Sequence, residues 1–287
     1  MDVSILIVNF NGAAFLDQCL ACIEQSQTDL RLETLILDNN SSDNSLAVLQ
    51  PYRDRVTLIE LDQNIGFPNG VNYLLPHATG EYTLLLNSDA FIEPTLIDTL
   101  VSVMRADSSI GVIAPQLLHE DGRLQVPGNP LAHWVYNTKK PRSVRFLSGA
   151  VMLLNTAYFR DTLHGLDPAF FFYNDDIDLC LRIRKDNKKV YYYPNVSATH
   201  IIGASSKTVK HFVLIEGYRG GFWIVKKHYG RLAYGAYRCL MGAVFWIKGR
   251  WHRCFSSPDQ REHRLVCDAV VQFAIHGNIQ FSNLTRS

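Results

Sequence analysis

Val3-Ser4-Ile5-Leu6-Ile7-Val8-Asn9-Phe10-Asn11 decides the fold class of this 287-residue chain. The nearly unbroken aliphatic run from Val3 to Val8 reads as a buried strand that ends abruptly in polar residues. Outward from it, Ala13–Gln25 places Phe15, Leu16, Cys19, Leu20 and Ile23 on one helical face. Leu32–Leu37 is a second strand, and a helix through Leu46 and Leu49 stops near Pro51. Val56–Leu61 is a third strand, and a helix after Gly66 carries Val71, Leu74 and Leu75. Tyr82–Leu86 is a fourth strand, with Pro94 opening the next helix. Strand and helix alternating at this spacing predict an α/β fold, a doubly wound and mostly parallel sheet with helices on both faces.

In such sheets ligands lie beyond the carboxyl ends of the strands. The polar clusters Asn9–Asn11, Asp38–Asp43, Asn64–Asn72 and Asn87–Asp89 each follow a strand and should converge on one rim. The chain from Val112 to about Arg145 reads as irregular and rich in turn residues. Phe146–Asn155 then reads as a strand, with Gly149 permitting close backbone approach. The aromatic run Phe170–Tyr173 resembles a pocket wall, and a helix follows to Lys185. Val190–Tyr193 is a short strand, Ala198–His200 precedes a Gly/Ser-rich loop, and from Phe212 to about Arg253 the pattern is helical and cationic.

Composition narrows the classes. Hydrophobic residues make up 47% and charged ones 19%, enough to bury a large core. Lysine and arginine total 28 against 27 acids, so net charge says nothing about a nucleic-acid partner, and none is among the expected partners. Of six cysteines only Cys19 and Cys22 form a C-x-x-C, inside a helical pattern with no second pair, which fits a buried helix better than zinc. The start lacks a basic region before its apolar run, so a secretory signal is not expected and reduced cytoplasmic thiols fit. No G-x-G-x-x-G, P-loop lysine or G-x-S-x-G is present, which removes support for dinucleotide redox, phosphoryl transfer and α/β-hydrolase chemistry.

Three groups carry candidate chemistry. Asn87-Ser88-Asp89 ends a buried strand, where a carboxylate can hold a hard cation, though Ser88 and Asp89 equally suit a helix N-cap. Asp175, Asp176 and Asp178 repel one another, which favours a general base, while acids at a helix start and an Asp178–Arg182 pair are the structural alternative. His200 alone reads as structural and gains weight only beside the other two.

With these residues in place, the chain resembles glycosyltransferase family 2, in particular its bacterial rhamnosyltransferase-like group of cell-surface polysaccharide synthesis. The resemblance covers about residues 3 to 206 and rests on VSILIVNFNG, LDNNSSDNS, NIGFPNGVN, LLLNSDA, FLSGAVMLL, FFFYNDDIDLCLR and ATHIIGASS in that order. It implies a GT-A fold with a nucleotide-sugar in the strand-end cleft. The family's D-x-D position falls on Asn87-Ser88-Asp89, so Asp89 is implied as a ligand of a divalent cation, Mg or Mn, and His200 as the residue completing the metal site. The E-D-x-D motif falls on Asp175-Asp176-Ile177-Asp178, with Asp in place of Glu at 175, so Asp176 is implied as the base with Asp175 beside it. The donor is expected against Val8, Asn9, Phe10, Asp38, Asn39, Asn64, Gly66, Asn72, Asn87, Ser88 and Gly149, with the Asn39 carbonyl placed to accept a base N–H.

The implied activity is inverting transfer of a sugar, rhamnose from a thymidine diphosphate carrier preferred, to a saccharide or polyprenol-linked saccharide hydroxyl. Uridine diphosphate galactose, glucose or N-acetylhexosamine donors are the alternative. The expected organisation is a catalytic domain over 1–210, its nucleotide-sugar half about 1–115 and its acceptor half about 116–210, with a helical, basic extension over 211–287. Leu232–Ile247 is apolar apart from Arg238, too short for a span that needs about 20 residues and suited either to lying on an anionic bilayer or to packing on the catalytic domain. A cytoplasmic protein peripheral to the inner face of the plasma membrane is the resulting expectation. A processive synthase would need long spans and Q-x-x-R-W, and neither is present. A retaining transferase, a sugar nucleotidyltransferase and a catalytically silent nucleotide-sugar binder remain as rivals.

Overall fold

The computed structural model describes residues 1–126, 133–201, 210–253 and 258–277, with the side chains of 210, 211, 252, 253 and 258–262 left aside. Two compact units are present, Met1–Phe171 with Asp175–Ser205, and Phe172–Asn174 with Ser206–Ser287.

The first unit is built on one nine-stranded sheet. Strands β1 (Val3–Asn9), β2 (Leu32–Asp38), β3 (Thr57–Glu60) and β4 (Tyr82–Leu86) run parallel in the order β3-β2-β1-β4. Helices α1 (Ala13–Glu24), α2 (Ser45–Leu49) and α3 (Phe67–Leu74) connect them, close to where the periodicity of the sequence puts them. Beyond β4 come β8 (Val151–Asn155), β6 (Ile110–Leu118), β9 (Lys189–His200) and β5 (Ala90–Ile92). Strand β8 is antiparallel to both neighbours, β6 and β9 are parallel, and the short β7 (Arg142–Ser143) pairs with β9.

Side chains alternate across this sheet, as the two-residue strand period requires. Val3, Ile5 and Ile7 of β1 join Leu16, Cys19, Leu20 and Ile23 of α1, together with Leu96, Leu100 and Met104 of α4 (Leu96–Ala106), in one cluster. Leu6 and Val8 face the other way, onto Val71 and Leu74 of α3 and Leu179 and Ile183 of α6 (Asp175–Lys185). Two helical layers therefore sandwich the sheet, and its strand ends form a rim. Cys19 is fully buried and its thiol points at the Asn87 carbonyl at 3.7 Å, a packing role.

The middle of the chain departs from expectation. Ile110–Leu118 is a nine-residue strand, although Gly111 and Pro115 interrupt its pattern. Burial on the partner strand β9 overrides their weak propensity. Val190–Tyr193 and Ala198–His200 belong to one strand with a register shift where Pro115 and Gln116 face Tyr193 and Ser197. Val151 rather than Phe146 opens β8. Leu96 rather than Pro94 begins α4. A short helix α5 (His133–Tyr136) lies in the region read as irregular.

The second unit contains α7 (Lys210–His228), α8 (Gly230–Arg253) and α9 (Pro258–His276) around Ile215, Phe222, Phe245, Val266, Val270 and Phe273. Glu216, 1% exposed, is held by bonds of 2.7–3.1 Å from Arg219, which removes an otherwise costly buried charge. No helix among the described residues is long and apolar enough to cross a membrane.

Candidate active site

The rim is drawn together by hydrogen bonds between loops that follow successive strands. Asn9 is wholly buried, and its Nδ2 donates to Asp38 Oδ2 at 2.8 Å and to Ser41 Oγ at 3.1 Å. Its Oδ1 accepts nothing from the protein. Asp38 Oδ1 accepts the Ser41 N–H at 2.9 Å, so both of its oxygens are engaged. Phe10, following Asn9, is partly exposed on the rim.

Asn39 is engaged within the protein by both ends of its amide. It is 2% exposed; its Nδ2 donates to Asn64 Oδ1 at 2.9 Å and to the Gly66 carbonyl, while its Oδ1 accepts the Ile65 N–H at 2.9 Å. Asn64 Oδ1 also accepts the Gly66 N–H. Asn39 and Asn64 thus brace the loop before α3. Asn72 closes on Leu166, its Oδ1 accepting the backbone N–H at 2.8 Å and its Nδ2 donating to the carbonyl at 2.7 Å. Val8 points into the core beneath α3. Phe170, read as part of a pocket wall, is 1% exposed and packed inside.

Gly66 is required where it stands. With φ +82° it occupies backbone space that side chains rarely enter, and a Cβ there would lie 2.6 Å from the Phe171 carbonyl oxygen. That carbonyl accepts the Phe67 N–H at 3.0 Å, tying α3 to the chain that leads into α6.

Two chemical groups occupy the rim near β4 and β8. In the first, Asp89 Oδ1 lies 3.4 Å from His200 Nε2 because Ala90 and His200 are paired across β5 and β9. Asn87 Nδ2 approaches the same ring nitrogen at 3.4 Å. Ser88, beside them, is 5% exposed. Behind the ring, His200 Nδ1 meets Gln125 Oε1 at 2.7 Å, a residue that no motif or period singles out.

In the second group, Gly149 donates its N–H to Asp176 Oδ2 at 3.1 Å, and Ile177 donates to Asp176 Oδ1 at 2.7 Å. Burial pushes the Asp175 carboxyl well above the usual carboxylate range, and the neighbouring Asp176 charge adds to the rise. Burial also raises Asp176, opposed by its backbone N–H bonds, and Asp176 remains partly open to solvent. Burial thus favours the protonated form of both carboxyls, and Asp176, partly open to solvent, is the member able to meet a ligand. Asp178 is apart from this chemistry. Wholly buried, it accepts from Arg182 Nε at 2.7 Å, and Arg182 continues to the carbonyls of Leu163 and Gly165.

One short segment joins the two groups. Gly149 holds Asp176, and the carbonyl of the next residue, Ala150, accepts the Asn87 N–H at 2.9 Å. Two carboxylate-bearing centres thus flank a single backbone turn at the start of β8.

The profile of glycosyl transferase family 2 matches residues 4–166, more than half of the chain. The chain belongs to glycosyltransferase family 2. It is 29% identical over 110 residues to the cholesterol galactosyltransferase of Borreliella burgdorferi, a match taking in 37% of this chain and 30% of that one. The N-acetylglucosaminyl-diphospho-decaprenol L-rhamnosyltransferase of Mycobacterium tuberculosis is 23% identical over 232 residues, 68% of this chain and 75% of the relative. The solved structure of the mannosyltransferase PcManGT from Pyrobaculum calidifontis, in complex with GDP-Man and Mn2+, superposes with a TM-score of 0.57. That superposition covers 95% of this chain and 70% of the mannosyltransferase at 18% identity, which establishes a shared GT-A fold.

Proposed function

We propose that this family 2 chain is an inverting glycosyltransferase that moves a sugar from a nucleoside-diphosphate donor to a hydroxyl of a saccharide or lipid-linked saccharide. The preferred donor is rhamnose on thymidine diphosphate, with uridine diphosphate galactose, glucose or N-acetylhexosamine as alternatives. The observation that carries the reading is the Gly149–Ala150 turn, with Asp176 on one side and Asn87, leading to Asp89, on the other. A base and a diphosphate-side centre are what a single displacement at an anomeric carbon needs. Relatives named as rhamnosyl- and galactosyltransferases are consistent with it, the rhamnosyltransferase matching over the larger share.

Asp89 and His200 fit a divalent cation by donor chemistry, since a carboxylate oxygen and an imidazole nitrogen both suit Mn and the oxygen suits Mg. Among the described residues no three His, Cys, Asp or Glu side chains converge as a metal cage, so Asp89 and His200 are the two that would hold the cation. A cation held there would act as a Lewis acid on the leaving diphosphate. Asp176 takes the proton of the acceptor hydroxyl, and that oxygen forms the new bond to the anomeric carbon as the bond to the diphosphate oxygen breaks on the opposite face. The elevated pKa of Asp176 makes it a stronger base than an exposed carboxylate. Gly149 and Ile177, by donating to both of its oxygens, fix its direction. Asp176→Asn should reduce transfer at least about 1000-fold, at the scale of general-base catalysis, with donor binding retained. Turnover within tenfold of the parent would remove Asp176 as the base.

A second surface bears on the acceptor. Leu232, Leu240, Ile247 and Trp251 are exposed on α8, with Arg231, Lys248 and Arg250 beside them. Arg238, the one charge inside the apolar segment, turns inward to the carbonyls of Ala274 and Ile275 at 2.7 and 2.6 Å. An apolar face rimmed by cations suits the surface of an anionic bilayer and a lipid-linked acceptor at the cytoplasmic face. The protein should co-sediment with phosphatidylglycerol vesicles and be released by salt. Protein left in the supernatant at low salt would contradict the attachment.

A further inference from the structure

We infer that Gln125 is a positioning residue that fixes the protonation pattern of His200 and aims its Nε2 lone pair at the Asp89 side of the site. The inference rests on the metal-site reading above and goes beyond it to a residue outside every recognised motif.

Gln125 lies on the segment that turns back along β6, where its N–H donates to the Leu117 carbonyl at 2.8 Å and Leu118 bridges Leu124. Because β6 pairs with β9 through Leu117–Ala198 and Leu118–Thr199, this return reaches the end of β9 at His200. Gln125 is 8% exposed and has one side-chain end on each polar group of His200. Its Nε2 lies 3.3 Å from the His200 carbonyl oxygen, and its Oε1 lies 2.7 Å from His200 Nδ1.

A carbonyl oxygen only accepts, so the amide end facing it must be the NH2 group. The other end is then the oxygen, and the ring nitrogen facing it must carry a proton. A neutral His200 is therefore protonated on Nδ1 and has its lone pair on Nε2. That nitrogen faces Asn87 Nδ2 and Asp89 Oδ1, each at 3.4 Å. One side chain thus spans the His200 carbonyl and its ring, fixing the tautomer of a residue whose backbone β5 and β9 already place. Outer partners of this kind set ligand orientation, and their loss typically weakens metal binding about 10–100-fold.

The test uses the full chain and Mn2+ alone as the probe, followed by electron paramagnetic resonance of free Mn2+. Gln125→Leu should weaken Mn2+ binding at least tenfold, whereas Gln125→Glu, which restores an acceptor for Nδ1–H, should stay within about threefold of the parent. Metal-free long-range 1H–15N spectra should show His200 as the Nδ1–H tautomer in the parent and in Gln125→Glu, and as a mixture or the Nε2–H form in Gln125→Leu. Parent-like Mn2+ affinity and tautomer in Gln125→Leu, with binding lost in Asp89→Ala and His200→Ala, would overturn the role of Gln125 alone. Equal Mn2+ binding by the parent and Asp89→Ala, or none by either, would overturn the metal-site reading together with it.

Discussion

Asp175 and Asp176 are adjacent in the chain and divided in their work by their surroundings. Asp175 is 7% exposed, and burial raises its pKa most, with the charge of Asp176 adding to the effect. A carboxyl whose folded pKa lies above its unfolded one binds more protons when folded, so its contribution to stability is full below the unfolded value and is lost as pH rises through the folded value. The window opens near pH 4, the ordinary carboxylate value, and extends upward to the raised value. Asp175→Asn should therefore gain stability relative to the parent as pH rises from 5 to 8. Thermal midpoints at these two pH values check this, and a parallel pH dependence in both proteins would contradict it. The three acids were legible in the sequence as a cluster, and so was the pairing of Asp178 with Arg182, because helix spacing alone brings them together. The fates of Asn39 and Asn72 were not legible. Each satisfies its amide on backbone from a distant loop, which no local pattern reveals.

Among the elements, the first four strands and their helices were readable because burial on both sheet faces leaves long aliphatic runs with helical periods between them. Strand β6 was hidden by Gly111 and Pro115, and with it the returning segment that brings Gln125 to His200. Helix α3 depends on its entry at Gly66, where backbone geometry and the Phe171 carbonyl both exclude a side chain. Gly66→Ala should cost about 1–3 kcal/mol from the backbone conformation alone, with further loss from the clash. Urea unfolding measures this, and a stability within about 0.5 kcal/mol of the parent, the range of ordinary surface substitutions, would show that the loop can re-form without glycine.

At the scale of the whole molecule, the family 2 match and the GT-A likeness agree with the fold drawn from the alternating pattern. The proposed division at about residue 210 is a matter for limited proteolysis. The apolar segment of α8 was legible as a segment, but its two faces were not, since only tertiary packing shows Arg238 turned onto α9 and Leu232 left outside. The central claim is that the rim is a sugar-nucleotide site dependent on a divalent cation. Its most direct test is thermal unfolding with a panel of nucleoside-diphosphate sugars, with and without Mn2+, in the parent and in Asp89→Ala. A donor at about 100 times its dissociation constant adds about 2.7 kcal/mol of stability. One donor should raise the midpoint only with Mn2+ present and only in the parent. Stabilisation independent of Mn2+ and of Asp89, or by no donor at all, would contradict it.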